Sequence, residues 1–188
     1  MRDHTTYQGP REAAGIIEYT LDWLERHGAA PEVNQLLSPE TYEEECAGPV
    51  ICVLAALPHL LDTGKKGRED YLAVLMEVAQ KNRKAPFRLF WSEAGAQSAA
   101  EEALGLTFGF PAVAALSKDK HVFATFKGAF HAASISSFLV GLTTGKESTA
   151  PLPPGALKVV KATAWDGREP PVVEEEEFSL EDIMAEEL

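Results

Sequence analysis

Residues 50–57, VICVLAAL, form eight consecutive apolar positions, bounded by Gly48-Pro49 on one side and Pro58 on the other. A strand with one wet face alternates polar and apolar residues; this one does not, so both of its faces are covered. That requires a sheet with a layer on each side, an α/β architecture. The strand ends at Pro58-His59-Leu60-Leu61. In open α/β sheets that is where ligands bind, yet two leucines stand there.

The chain has 188 residues, 45% of them apolar, which is enough for one full domain with extensions. No apolar run approaches membrane-spanning length, and the opening MRDHTTYQGP lacks the apolar core of a signal peptide. The net charge of −12 is uneven: nine acids and no base fall between Glu169 and Leu188, leaving −3 for residues 1–168. A nearly neutral globular part argues against a nucleic-acid surface. The two cysteines, Cys46 and Cys52, are too few for a structural zinc site, and no histidine stands in ligand spacing beside them. No motif asks for a cofactor.

An internal repeat organises the chain. Shifting YQGPREAAGII, from Tyr7, by 119 residues lays it on FKGAFHAASIS, from Phe126. Tyr7 meets Phe126, Gly9 meets Gly128, Ala13 and Ala14 meet Ala132 and Ala133, and Ile16 meets Ile135. Tyr19 then meets Phe138. Each copy reads as a strand end, a glycine turn and an amphipathic helix, and 119 residues is a sensible domain length. Residues 1–28 are therefore expected to be the last helix of a preceding domain. A complete domain is expected over 29–146, with 147–188 a proline-containing linker and acidic tail, disordered at its end.

Within 29–146 the elements alternate. A short strand is expected in 31–37 and a helix over 39–46, with Ser38 as N-cap and Pro39 at the first helical position. The strand through 50–57 comes next. Helical spacing of Tyr71, Val74, Leu75, Val78 and Ala79 predicts a helix over 68–83, then come a strand at 86–91 and a helix at 96–106. PAVAAL (111–116) and HVFATF (121–126) flank SKDK as a β-hairpin, and a helix over 132–143 closes the unit.

This order, with GFPAVAAL (109–116) opening the fourth strand, resembles the thioredoxin fold, a central mixed sheet flanked by helices. The family carries a cis-proline at the position of Pro111, facing the active-site loop. More narrowly, LPHLLDTG (57–64), WSEAGAQ (91–97), STAP (148–151) and WDG (165–167) resemble the inactive b-type domain of protein disulfide isomerases with a–a′–b domain order. YQGPREAAGII resembles the close of the catalytic domain before it.

The resemblance answers the question of the leucines. Catalytic members end the second strand in a Cys-x-x-Cys loop; anchored on Pro58, the two cysteines fall on Leu60 and Thr63, and a buried glutamate falls on Leu54. The family's helix-start arginine, matched by Arg11 in the first copy, is Phe130 in the second. Exchange needs a low-pKa thiolate and a resolving thiol, and neither sulfur is here. No catalytic residue is assigned. Leu57, Pro58, His59, Leu60, Leu61 and Phe110 form a candidate apolar patch, either packed down as a cap or open to unfolded segments. His59 is expected to be a surface or capped side chain rather than a ligand or base, with no carboxylate in its immediate neighbourhood placed to tune it.

CAGPVIC (46–52) admits a structural disulfide, an off-centre redox couple or two buried thiols. The disulfide is the expected state, since Glu43-Glu44-Glu45 would disfavour a thiolate at Cys46. Glu174, Glu175, Glu176 and Glu177 are at most a weak calcium site, as no EF-hand spacing is present. The resemblance implies the endoplasmic reticulum lumen, although the terminal Ala185-Glu186-Glu187-Leu188 shares only its last two residues with the usual retention signal. It further implies a non-catalytic scaffold for folding clients, for other domains of the parent or for a luminal chaperone. The alternatives are a minor oxidoreductase using Cys46 and Cys52, or low-affinity calcium buffering by the tail.

Overall fold

A computed structural model describes residues 7, 9–10, 12–27, 31–152 and 155–170. Helix α1 (Ala13–His27) precedes the chain order β1 (Val33–Gln35), α2 (Pro39–Glu45), β2 (Ile51–Leu57), α3 (Leu60–Lys81), β3 (Phe87–Glu93), α4 (Ser98–Ala103), β4 (Ala112–Ser117), β5 (Val122–Thr125), α5 (Ala132–Thr143) and β6 (Ala150–Pro151). One sheet runs β1-β3-β2-β4-β5-β6. β1, β3 and β2 are parallel, and β4, β5 and β6 are antiparallel to their neighbours. This is the mixed, helix-flanked sheet of a thioredoxin-like fold.

The covered strand sits where its composition requires, in the middle of the sheet between β3 and β4. Val53, Ala55 and Leu57 join the core formed with α3 and α5, including Leu75, Val78, Ile135 and Leu139. Cys52, Leu54 and Ala56 point the other way, into a core with Leu36, Tyr42, Cys46 and Leu104. The two-residue period of a strand thus distributes one apolar run over two cores. Fully burying a residue such as Leu57 is worth roughly 1.5–3 kcal/mol.

Element boundaries differ from the periodicity in informative ways. The helix expected over 68–83 begins at Leu60, because residues 60–63 make a first turn capped by His59, whose ring accepts the Leu61 N–H. Gly64 then breaks the helix at φ 64°, ψ 178°, a conformation open to glycine, and the axis resumes beyond it. The helix expected over 96–106 shortens to Ser98–Ala103, since Gly105 at φ 65° turns the chain after the Leu104 C-cap. β3 runs on to Glu93, two residues past the expected end, because Ser92 and Glu93 continue the pairing with Ala56 and Leu57. Ser38 caps α2 by accepting the Thr41 N–H at 3.2 Å.

The largest departure concerns residues 150–152 and 155–169, expected as a linker. They form a belt around the domain. β6 pairs with β5, and Leu152 is buried in the α2/α4 core, where Ala156, Leu157 and Val159 also pack. The buried side-chain amide of Gln97 then clasps Val160, donating to its carbonyl and accepting its N–H, both at 2.8 Å. Ala162 N–H donates to the Leu37 carbonyl at 2.9 Å, and Gln35 accepts the Trp165 N–H at 2.9 Å. The belt therefore crosses from one sheet edge to the other, where it meets β1 through the Gln35 side chain and the backbone just beyond the strand. Residues 171–188, including Glu174 to Glu177, lie outside the described residues.

Candidate functional site at the loop end of the sheet

The loop after β2 and the loop before β4 leave the same end of the sheet, because these strands pair through Ala56 and Ala112. The Phe110–Pro111 peptide bond is cis. Leu60 and Thr63 occupy the first turn of α3, so no sulfur stands at the helix start. Leu54 is buried in the α2/α4 core. Phe130 packs edge-on against Tyr71, ring centroids 5.4 Å apart, where the repeat would place an arginine. Arg11, its counterpart, lies outside the described residues.

What holds the loop is an ion-pair cluster that the sequence did not reveal. Arg68 is 1% exposed, and its Nη2 donates to Glu93 Oε2 at 2.6 Å and to the Pro58 carbonyl at 2.9 Å. Its guanidinium lies over the Trp91 ring at 5.0 Å and near the Trp165 ring at 5.8 Å. Glu93 Oε2 also accepts the Leu60 N–H at 3.3 Å. His59 Nε2 stands 2.9 Å from Glu93 Oε1. Since Nδ1 accepts the Leu61 N–H, the neutral ring carries its proton on Nε2, facing that carboxylate. The expectation that no carboxylate approaches His59 is thus corrected: Glu93 comes from β3, 34 residues away in sequence.

Chemically the cluster is a clamp. Both oxygens of Glu93 are engaged, by a guanidinium, an imidazole and a backbone N–H, so the carboxylate holds the loop rather than facing a substrate. Such a charge pair contributes little net stability, but removing the half-buried Glu93 would strand the buried Arg68 guanidinium. The apolar patch is correspondingly smaller than expected. Leu57 is fully buried and leaves it, Pro58 and Leu60 are half-buried, and Leu61 and Phe110 stay exposed. His59 is exposed as expected.

The cysteines lie away from this loop. Cys46, at the C-cap of α2, and Cys52, on β2, form a disulfide with Cα atoms 5.9 Å apart. Both are buried, so neither sulfur is presented to a substrate thiol.

One signal for the clamp was present in the sequence. Arg68 falls on the apolar stripe of its helix, three residues before Tyr71 and seven before Leu75. An arginine there either snorkels out or is paired, and Glu93, inside WSEAGAQ, supplies the partner. A fully buried carboxylate, Glu101, lies just beyond that motif; it accepts the Gly95 and Gln97 N–H groups at 3.0–3.2 Å and shapes the turn after β3.

Comparison with known proteins identifies the family. Residues 25–147 match the model of the family described as "PDIA6-like, C-terminal thioredoxin-like domain". The chain belongs to that family. It is 39% identical over 180 residues to protein disulfide isomerase-like 2-3 of Oryza sativa subsp. japonica, covering 95% of this chain and 41% of the relative. It is also 39% identical over 184 residues to human protein disulfide-isomerase A6, covering 97% and 42%. The chain thus spans about two fifths of the length of these curated relatives. Among solved structures it is similar to the bb fragment of ERp72, at 17% identity and a TM-score of 0.49, over 77% of this chain and 59% of that one.

Proposed function

We propose that this chain is a non-catalytic thioredoxin-like module of a protein disulfide isomerase in the endoplasmic reticulum lumen. It would scaffold or bind clients and partners while other domains of the parent carry out thiol–disulfide exchange. The observation that carries this reading is the loop end itself. Leu60 and Thr63 replace the sulfurs, the Arg68–Glu93–His59 clamp ties the loop down, and Leu61 and Phe110 remain open beside the cis-proline. Apolar side chains left exposed at one sheet end suit extended, unfolded segments of folding proteins. The luminal location is carried over from the resemblance.

Two measurements test the reading. In an insulin-reduction assay the chain should give no rate above the uncatalysed background; turnover that disappears in Cys46→Ala would establish a redox couple and sink the proposal. In titrations with a reduced, carboxymethylated polypeptide, amide shifts should concentrate at residues 59–61 and 108–110, and Leu61→Asp should weaken binding several-fold. Shifts confined to any other surface would move the binding role elsewhere.

A further inference from the structure

Three features meet at the loop end. The first is uncovered apolar surface: Phe108 is 97% exposed, Leu61 57% and Phe110 38%, on two loops that leave the same end of the sheet. The second is the end of the belt. Trp165 lies against Arg68, its Nε1 donates to the Arg168 carbonyl at 3.1 Å, and the Glu169 carboxylate accepts the Lys65 N–H at 2.9 Å. Gly64 admits this carboxylate: a Cβ there would sit 3.3 Å from Glu169 Oε2, tighter than ordinary contact. The belt is therefore hooked to α3 four residues from Leu61. The third is the composition of the chain beyond the belt. Residues 171–188, PVVEEEEFSLEDIMAEEL, set Phe178, Leu180, Ile183 and Met184 among eight acids. A purely solubilising tail has no use for four large apolar side chains.

Reach and entropy favour a return. Eighteen residues span up to about 60 Å when extended, many times the separation of neighbouring loops. A tether this short holds its end near the anchor at roughly millimolar effective concentration. Each doubling of the closed loop adds only about 0.6 kcal/mol. Even a weak apolar contact is then populated in cis.

We propose that residues 178–184 of the tail dock on the patch of Leu61, Phe108 and Phe110, so that the domain carries its own occupant for that surface. The inference rests on the reading of the loop end as a binding surface. It adds that a client must displace the tail to reach it. The acids between the apolar residues keep the docked segment soluble when displaced and limit its affinity, so that it yields to a better ligand.

The test uses the full chain. Ala185→Cys carries a nitroxide, the two native cysteines being bonded to each other and buried. Broadening of the Leu60, Leu61 and Phe110 amides should exceed half their intensity. It should fall at least threefold in Phe178→Ser/Leu180→Ser/Ile183→Ser, which leaves every charge in place. Equal broadening in the two proteins, or broadening centred on another surface, overturns the docking. The carboxymethylated polypeptide should bind the triple-serine protein several-fold more tightly than the parent, and equal affinities again overturn the docking. If the polypeptide binds neither protein, the client-binding reading fails, while the nitroxide comparison still decides whether the tail docks.

Discussion

The same local motif occurs twice in this chain, once packed on the sheet and once, among the described residues, with its helix face largely exposed. Tyr7 stacks on Tyr19 with ring centroids 4.9 Å apart at 58°, and Phe126 on Phe138 at 5.4 Å and 49°. In both copies the leading aromatic covers the glycine two residues on. A Cβ on Gly9 would meet the Tyr7 hydroxyl at 2.4 Å, and one on Gly128 would meet Phe126 Cζ at 2.5 Å. The helices start at Ala13 and Ala132, 119 residues apart, as the repeat requires. Burial is where they part: Ile16 is 44% exposed and its counterpart Ile135 is fully buried. Short-range sequence writes the turn, the aromatic pair and the helix start. What the helix stabilises depends on whether β2, β4 and α3 lie beneath it.

The contrast can be broken at several points. The widest gap should appear in native-state hydrogen exchange. Amides in the middle of α5 should open only with global unfolding, on the order of 5 kcal/mol or more, while those of α1 exchange at the low-stability end. Equal protection would mean that α1 finds a full partner surface in this chain. Ile135→Ala should then cost about 3 kcal/mol in denaturant unfolding, whereas Ile16→Ala should move the same transition by less than about 0.5 kcal/mol. A common loss from both would erase the distinction. The disulfide serves only the sheet-backed copy. Removing it in Cys46→Ala/Cys52→Ala should lower stability by about 2 kcal/mol, the loop-entropy expectation for so short a span, and leave α1 exchange unchanged.

Smaller effects separate the copies more finely. Gly128→Ala should cost about 1–2 kcal/mol, because Phe126 must leave its place over the turn at the edge of the core. Gly9→Ala crowds Tyr7 equally and should leave the main transition where it is. The smallest effect is confined to alkaline pH. Burial, and then the neighbouring Glu43 charge, push the Tyr42 phenol from 10.0 up to about 12. The folded state thus holds this proton more tightly than the unfolded chain. Its contribution to stability is complete below pH 10 and is lost as pH rises through about 12. Ultraviolet titration should show one of the four tyrosines ionising late.

How much of this was readable beforehand depended on range. The covered strand at 51–57, the hairpin around SKDK, the Ser38-Pro39 helix start and the landmark Pro111 are all encoded within a few residues, and each has its place in the structure. Gly64 was visible, but whether it ends a helix or interrupts one depends on the turn before it, which His59 caps from outside the helical pattern. Of the clamp only the place of Arg68 on an apolar stripe was legible; its partners were not, because Arg68, Glu93 and Trp165 become neighbours only when α3, β3 and the belt have all been placed. The belt itself hid behind its composition. Prolines and alternating small residues read as a spacer, while the two glutamines that hold it, Gln35 and Gln97, look like any surface polar residue.

The belt also sets the order in which the domain can be finished during synthesis. Trp91 and Trp165 flank the same guanidinium, but a ribosome working at about 5–20 residues per second makes the second roughly 4–15 s after the first. In that interval Gln35 and Gln97 lack their belt partners and Arg68 lacks the second indole. The nascent domain is then a nearly complete sheet awaiting its last strap.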